Sequence, residues 1–353
     1  MKNRKRRIRL FQLSVMRKRR RSCAVRKRFN IQRNNQKKDK QRSYKKTTQH
    51  YGTNYSERIS IRIPSLFRLL KETDEVIKTI NKAADYTKRH GRYIIHFEME
   101  DVVKLDIGSI GLLLSAVNTL TRNNCSVYGT MPHDEECRQF LYDSGFLDHV
   151  NVIQGRNRKK NENSLIIERG FDKTSNLRVG QEVRKAVQYL TGKDETYRPV
   201  YSIIQEMCAN SIEHANDDKK QKNWLVSIYY ADKKVIFTMT DIGQGILGTL
   251  RKKISQSMLD SVRNIGSVET LSGAFAKKYQ SSTFDGNRNK GLPKIKETNT
   301  FNYIDNLKVI TNDVLLDFNQ SDESRRLSTK LRGTFYYWEL TEITILKWKQ
   351  RAK

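Results

Sequence analysis

The chain contains few of the residues that would place it in a specialised structural class. Among its 353 residues are only four cysteines and four prolines. The cysteines show no Cys-x-x-Cys spacing and are scattered, which argues against a zinc site or a disulfide framework and favours reduced thiols in a cytoplasmic protein. So few prolines exclude a proline-rich linker. The cysteines are Cys23, Cys125, Cys137 and Cys208.

Long apolar runs are also missing. The longest obvious apolar stretch, residues 110–117, includes Gly111 and Ser115. It is far shorter than the roughly 18 apolar residues that a membrane-spanning helix needs. The amino terminus is basic but lacks the apolar core of a signal peptide. We therefore predict no transmembrane segment.

Acidic residues are nearly absent from the first fifty positions. Residues 1–50 hold 21 Lys or Arg and one acid, Asp39, so they carry most of the formal net charge of +30. Such a block repels itself and buries little, and we predict that residues 1–55 form a disordered basic tail. Residues 1–50 would bind phosphates of RNA or DNA, or an anionic membrane surface. The alternative is a solubilising tail, or a reading frame whose start is instead Met16.

Strand and helix signals alternate from residue 56 to about 153. Strands are predicted at 59–63, 93–97 and 125–130, and helices at 64–80, 110–120 and 135–142. A βαβα order with short connections predicts a sheet covered by helices. We assign residues 56–153 to a first domain.

Two segments in this region, residues 105–113 and 140–147, resemble the STAS domain, the fold of the anti-sigma factor antagonists. In that family an Asp precedes a Ser or Thr that a partner kinase phosphorylates. Here Ile107 follows Asp106, and the nearest hydroxyl belongs to Ser109. The resemblance therefore implies the fold and a protein partner more than the phosphorylation switch.

A polar segment, residues 154–163, is predicted to be a linker to a second domain at 164–345. Helices are predicted at 179–190 and 197–215, and strands at 224–230, 235–241, 305–310, 314–318 and 333–340. This mixture predicts an α/β sandwich with one helix layer.

Two polar motifs stand out in this domain. Glu206 and Asn210 are one turn apart on the predicted helix 197–215, so both lie on its polar face, where they form a shared site or a solvated edge. The strand 235–241 ends in Asp241-x-Gly243-x-Gly245, where glycines let the backbone turn tightly and approach a ligand.

In this order the two motifs resemble the N box and the G1 box of the GHKL ATPases, the superfamily of gyrase, Hsp90, histidine kinases and MutL. The resemblance implies a two-layer α/β sandwich, the Bergerat fold, that binds ATP and Mg²⁺. It implies that Asn210 binds Mg²⁺ and that Glu206 orients or deprotonates the attacking water or hydroxyl. It also implies that Asp241 accepts a hydrogen bond from the adenine amino group, with Gly243, Gly245 and Ile246 beside the nucleotide.

Two later segments complete the resemblance. Lys290, Gly291 and Leu292 resemble the G2 box, whose backbone amides hold the phosphates, although the usual Gly-x-Gly is incomplete. Thr334 resembles the last box, in which a Thr hydroxyl supports the adenine-binding Asp. The resemblance implies that the interval between Gly245 and Gly291 forms a lid that orders over bound ATP. The alternative is a disordered surface loop, and both states could occur in turn.

The helix 179–190 contains no histidine, so we do not expect autophosphorylation on histidine. Among the GHKL families, anti-sigma kinases match best. The leading hypothesis is an ATP-dependent partner switch that hydrolyses ATP slowly or phosphorylates a protein hydroxyl. The alternatives are a nucleic-acid-binding protein with an ATP-operated clamp, and a nucleotide binder without turnover. A homodimer is compatible with each hypothesis.

Overall fold

A computed structural model defines the fold of most of the chain. It describes residues 57–88, 92–150, 164–169, 173–213, 223–253, 266–277 and 291–351. Residues 56–353 form one compact unit. The predicted tail, the predicted linker 154–163, most of the predicted lid and Lys290 lie outside the described residues. Whether the domain boundaries fall at 153 and 164 therefore stays a prediction.

The first module, residues 57–150, follows the predicted alternation of strands and helices. Its elements are β1 (Glu57–Arg62), β2 (Leu66–Phe67), α1 (Thr73–Ala84), β3 (Tyr93–Glu98), β4 (Lys104–Leu105), α2 (Ile107–Arg122), β5 (Ser126–Gly129) and α3 (Glu135–Asp143). Three strands form a parallel sheet in the order β1, β3, β5. Because parallel strands need crossover connections, α1 and α2 link them.

The predicted start of one helix in this module is wrong. The sequence pattern started it near Pro64, whereas α1 begins at Thr73. Leu66 and Phe67 instead form β2, which pairs with β4, and Phe67 is completely buried. These apolar residues were misassigned to a helical stripe. The acidic residues in the first turn of α1, Asp74 and Glu75, suit the positive end of a helix dipole.

The second module, residues 164–351, is built on a five-stranded antiparallel sheet in the order β6, β7, β8, β10, β9. Its strands are β6 (Ser164–Arg169), β7 (Asn223–Ala231), β8 (Lys234–Asp241), β9 (Asp305–Asp317) and β10 (Arg325–Thr341). Its helices are α4 (Lys173–Thr191), α5 (Arg198–Glu213), α6 (Gly245–Lys253), α7 (Ser267–Phe275), α8 (Gly291–Thr300) and α9 (Glu342–Arg351). The predicted pair of strands β7 and β8 is confirmed, and so are the predicted helices α4 and α5.

The prediction of two separate strands at 305–310 and 314–318 is wrong, because β9 runs through both. The polar residues between them bend the strand without ending it: Asn312 has a left-handed φ of 53°, and the pairing with β10 shifts register there. Asn is among the residues that tolerate this conformation best.

Side-chain alternation divides the sheet into two faces. Trp224, Val226 and Ile228 of β7 belong to a buried cluster with residues of α4, α5 and α8. Leu225, between them, belongs to the cluster of the first module. We call these the helix face and the back face. The sheet is therefore covered on both faces, by helices of its own module and by the first module.

Helix α2 packs closely on the back face. A Cβ built on Gly108 would lie 3.0 Å from Cζ of Phe335 and 3.2 Å from Cδ2 of Leu69. One turn later, a Cβ on Gly111 would lie 3.4 Å from Oγ of Ser227. Small residues thus allow the helix to approach the strands, and the first module forms part of the sheet's packing.

We expect Gly108→Val to destabilise the protein by about 2 kcal/mol, because the added atoms overfill this contact. Thermal or urea unfolding of the full chain measures the change. The matched control is Gly180→Val on α4, where a Cβ would lie at an ordinary 3.6 Å from Tyr201. If both variants lose the same stability, α2 does not depend on close contact with the back face.

Candidate functional site

A row of four residues crosses the sheet where β8 ends. Asp241 is paired with Trp224 of β7 and with Thr334 of β10, and Thr334 is paired with Thr311 of β9. Directly paired residues on neighbouring strands point to the same face. Because Trp224 belongs to the helix-face cluster, the side chains of this row lie on the helix face.

The Asp241 carboxyl is fixed within this row. Its Oδ1 accepts a hydrogen bond of 3.1 Å from the backbone N–H of Thr334. Burial raises the pKa of Asp241 to about 7, although the bonds from Thr334 act in the opposite direction. The carboxyl therefore loses its proton near neutral pH, and a hydrogen-bond donor placed against it would favour the ionised form.

Thr334 connects this carboxyl to the helix that follows it. The Thr334 and Thr311 hydroxyls are 3.3 Å apart, and the Thr311 hydroxyl also accepts the N–H of Ile246 at 2.9 Å. Thr334 therefore supports the Asp241 carboxyl through its backbone N–H, and a bond from its side chain also lowers the pKa of this carboxyl.

Asn312 completes the attachment of α6. Its Oδ1 accepts the N–H of Leu247 at 3.0 Å and that of Gly248 at 3.3 Å, while its Nδ2 donates to the Gln244 carbonyl at 2.8 Å. These bonds satisfy donors that a helix N-terminus otherwise leaves free. The N–H of Ile246, predicted to lie beside the nucleotide, is therefore already bonded within the protein.

The turn before α6 depends on a glycine. Gly245 has a φ of 73°, and a Cβ there would lie only 2.8 Å from both Cγ of Asn312 and Oγ1 of Thr311. The second glycine of the Asp-x-Gly-x-Gly motif is thus required by backbone conformation and by the contact with β9. Gly243 has more room, since its nearest neighbour would be Oδ1 of Asp241 at 3.4 Å.

Glu206 and Asn210 lie on one edge of α5, as their spacing predicts, and α8 begins beside them. A Cβ built on Gly291 would lie 3.0 Å from Oε2 of Glu206 and 3.5 Å from Nδ2 of Asn210. The other Glu206 oxygen, Oε1, accepts a 3.0 Å bond from Nζ of Lys294. The structure therefore brings the N-box residues next to Gly291 of the predicted G2 box.

Asn210 has unused hydrogen-bonding capacity. Its Nδ2 is buried and has no hydrogen-bond partner within the described ranges. An unpaired buried amide is costly, and a ligand that accepts its hydrogen bond would remove that cost. The same side chain offers an amide oxygen of the kind that Mg²⁺ accepts as a ligand.

The two groups of site residues lie on the same face of the sheet. Ile203 and Met207 of α5 and Met239 of β8 belong to one buried cluster, so α5 packs on the helix face, to which Asp241 also points. Leu292, the third G2-box residue, is partly buried against this cluster. The fold thus places the N-box helix over the strand that carries the predicted purine contact.

A cleft of about 590 Å³ lies behind the Asp241 turn. Its walls come from Thr240 to Gly243, from Leu331 and Arg332, and from α1 and α2 of the first module. The back of the turn is therefore open to the first module. A ligand or a conformational change in this cleft would therefore affect the backbone of the residues predicted to bind the nucleotide.

The hydroxyl nearest to the predicted STAS-like switch position is buried in this structure. Ser109 is completely buried, and its hydroxyl donates to the Asp106 carbonyl at 2.9 Å. The Asp106 side chain accepts the Ser109 N–H at 2.7 Å and caps α2, and burial raises the pKa of this carboxyl. A kinase could reach this hydroxyl only after a rearrangement that exposes it.

No protein-family model matches the chain, and no curated protein matches its sequence. Within the described part of the chain, no helix is long and apolar enough to cross a membrane. The same residues contain no group of three or more His, Cys, Asp and Glu side chains arranged to bind a metal.

Sequence reasoning gave no role to three residues of this site, Thr311, Asn312 and Lys294. The sequence does contain a signal for Asn312, because the polar residues 311–313 interrupt an otherwise apolar strand. The sequence signal for Lys294 is weaker, since it is one of many lysines and only the contact with Glu206 distinguishes it.

Proposed function

We propose that this protein binds Mg-ATP on the helix face of its antiparallel sheet, in a pocket of the GHKL type. The supporting observation is the row that holds Asp241 against Thr334, on the face where α5 presents Glu206 and Asn210. A carboxylate at this place would accept a hydrogen bond from the adenine amino group. The amide of Asn210 would bind Mg²⁺, and Gly291 at the start of α8 would lie beside the phosphates.

The proposed chemistry is slow ATP hydrolysis or transfer of the terminal phosphoryl group to a protein hydroxyl. Glu206 would supply the carboxylate for this role and would orient or deprotonate the attacking oxygen. The protein would act in the cytoplasm as a regulator whose nucleotide state determines its partner. A STAS-like module paired with an anti-sigma-type ATPase module, as the sequence resemblance implies, would fit this role.

The first module would be part of the switch. Helix α2 packs on the back face of the strand that ends in Asp241, and α1 and α2 form a wall of the cleft behind that turn. A change in the turn on nucleotide binding would therefore act directly on the first module. In this proposal the module responds to nucleotide through packing, while Ser109 stays buried.

The proposal is tested by purine selectivity. Isothermal titration of the full chain should show Mg-ATP binding and affinity about tenfold to hundredfold lower for Mg-GTP, because guanine presents a carbonyl where adenine presents an amino group. Mg-UTP is the matched control for binding through phosphates alone, because uracil has no amino group. Equal affinity for the three nucleotides would contradict the adenine contact, and no binding of any of them would end the proposal.

The basic tail supports a second candidate function, a nucleic-acid-binding protein in which ATP operates a clamp. Net charge concentrated in residues 1–50 predicts affinity for RNA or DNA that falls steeply with salt. Deleting residues 1–50 should weaken binding to a labelled oligonucleotide about tenfold or more at low salt. Equal affinity of the two chains, measured by fluorescence anisotropy over a salt series, would exclude this function.

A further inference from the structure

Lys294 forms an ion pair between α8 and the carboxylate of Glu206 in the proposed site. Its Nζ lies 3.0 Å from Oε1 of Glu206. Gly291 and Lys294 are three residues apart on α8, so they lie on the same side of its first turn. That side faces the polar edge of α5, since a Cβ on Gly291 would come within 3.0 Å of Oε2 of Glu206.

Glu206 thus lies among groups that favour an anion. Around its carboxylate are the ammonium of Lys294, the amino-terminal end of α8 and the buried, unpartnered Nδ2 of Asn210. Each of them is a hydrogen-bond donor or a source of positive potential. The Glu206 carboxylate therefore occupies surroundings that would equally suit a phosphate group.

From this arrangement we infer that Lys294 is a phosphate-binding residue, and that Glu206 is its partner only while the nucleotide is absent. The inference rests on the proposed binding of Mg-ATP. When the nucleotide binds, its terminal phosphate takes the place of the Glu206 carboxylate as the ion-pair partner of Lys294. Glu206 is then released to orient the attacking oxygen, so the base becomes available only when the phosphate is present.

The exposure of the pair suits an exchange of partners. The side chains of Lys294 and Glu206 are 45% and 31% exposed. An ion pair as accessible as this contributes little net stability, and a phosphate offers the ammonium more charge and more acceptor oxygens than one carboxylate does. The exchange needs only side-chain rotation, since Lys294 is exposed and both residues lie on helices.

This role complements the predicted G2 box. The sequence pattern there lacks the first glycine of Gly-x-Gly, and a missing backbone contact to phosphate would weaken the nucleotide's attachment. A lysine in the first turn of α8 would supply the lost attraction as a charge. Lys294 would then determine how well the protein distinguishes ATP from ADP, because the terminal phosphate is the group it binds.

The first arm of the test compares nucleotides in the full chain. Lys294→Met should weaken binding of a non-hydrolysable Mg-ATP analogue about tenfold and that of Mg-ADP less than about twofold. The matched control is Lys296→Met, which removes the same charge from the same helix on another side and should change neither affinity. Thermal unfolding checks that each variant is folded, and Lys294→Gln serves as a second variant with the same expected result.

The second arm removes the competing carboxylate. Glu206→Gln should bind the Mg-ATP analogue about threefold to tenfold more tightly, because Lys294 no longer has to leave an ionised partner. An unchanged or weaker affinity in Glu206→Gln, or an equal loss of ATP and ADP affinity in Lys294→Met, would overturn the inference while leaving ATP binding intact. If the unmodified protein binds no nucleotide, the proposed function and this inference fail together.

Discussion

An Asp241→Asn protein is expected to lose Mg-ATP binding by about 100-fold or more, because one hydrogen bond becomes a contact between two donors. Oδ1 of Asp241 already accepts the Thr334 N–H. In the variant, the amide oxygen takes over that bond and the NH₂ group occupies the other position. This NH₂ group would then face the adenine amino group, which is also a hydrogen-bond donor. Titration with the Mg-ATP analogue measures the loss.

The same substitution is expected to stabilise the nucleotide-free protein. Burial raises the pKa of Asp241 to about 7 in the folded state, above its ordinary value of 3.8. The folded protein therefore holds the proton more tightly than the unfolded chain, and stability falls as pH rises from about 4 to about 7. Asparagine carries no charge, so at pH 8 the variant should be more stable by about 1–3 kcal/mol.

A pH dependence of binding follows from the same pKa. If the ionised carboxylate accepts the bond from adenine, Mg-ATP and Mg-ADP should each bind about tenfold more weakly at pH 6 than at pH 8. A carboxyl with an ordinary pKa would give no change over this range. Equal affinities at the two pH values would show that the purine does not contact the ionised form.

Glu339→Gln is the matched control for Asp241→Asn. Glu339 is a buried carboxylate on β10, and burial alone would raise its pKa. Bonds from Lys234, Tyr337 and Asn306 nevertheless lower that pKa below its ordinary value, so its charge is stabilised in the fold. The control should therefore lose stability and keep its ATP affinity. If Asp241→Asn retained full affinity, the adenine contact would be assigned to the wrong residue.

The sequence predicted the elements that have a clear period or boundary. The spacing of Glu206 and Asn210 identified one helical edge, and the glycines after Asp241 identified a turn, because both signals are local. The attachment of α6 to Thr311 and Asn312 joins residues that are more than sixty positions apart. No local pattern contains such a pairing, and the polar break it requires in β9 was interpreted as a strand end.

The packing of the first module on the sheet also could not be predicted from the sequence. A sheet with one helix layer leaves its other face open. The sequence pattern of β7 or β8 does not indicate which helix covers that face. Gly108 and Gly111 were interpreted only as part of the STAS resemblance. In the fold they let α2 approach Phe335 and Ser227. Such complementarity depends on two surfaces that are folded separately, so neither sequence segment shows it alone.

The second large effect is expected from Glu206→Gln, which should lower the rate of phosphate release from Mg-ATP at least about 100-fold. Glutamine keeps the size of the side chain but cannot accept a proton from the attacking oxygen. Because this variant is expected to bind the nucleotide more tightly, the loss should appear in kcat, with a lower KM. Steady-state phosphate release by the full chain measures both values.

Glu182→Gln is the matched control for this kinetic effect. Glu182 on α4 also forms an ion pair with a lysine, Lys185, at 2.6 Å, so the control removes the same charge from a Glu–Lys pair within one helix. It should leave kcat within about twofold.

If the Glu206→Gln protein hydrolyses ATP at the original rate, Glu206 takes no part in the chemistry. An unmodified protein that binds Mg-ATP tightly but releases no phosphate, alone or with a protein acceptor, would instead be a nucleotide binder without turnover. The ion pair with Lys294 would then control affinity only, because there would be no attacking oxygen for the freed carboxylate to orient.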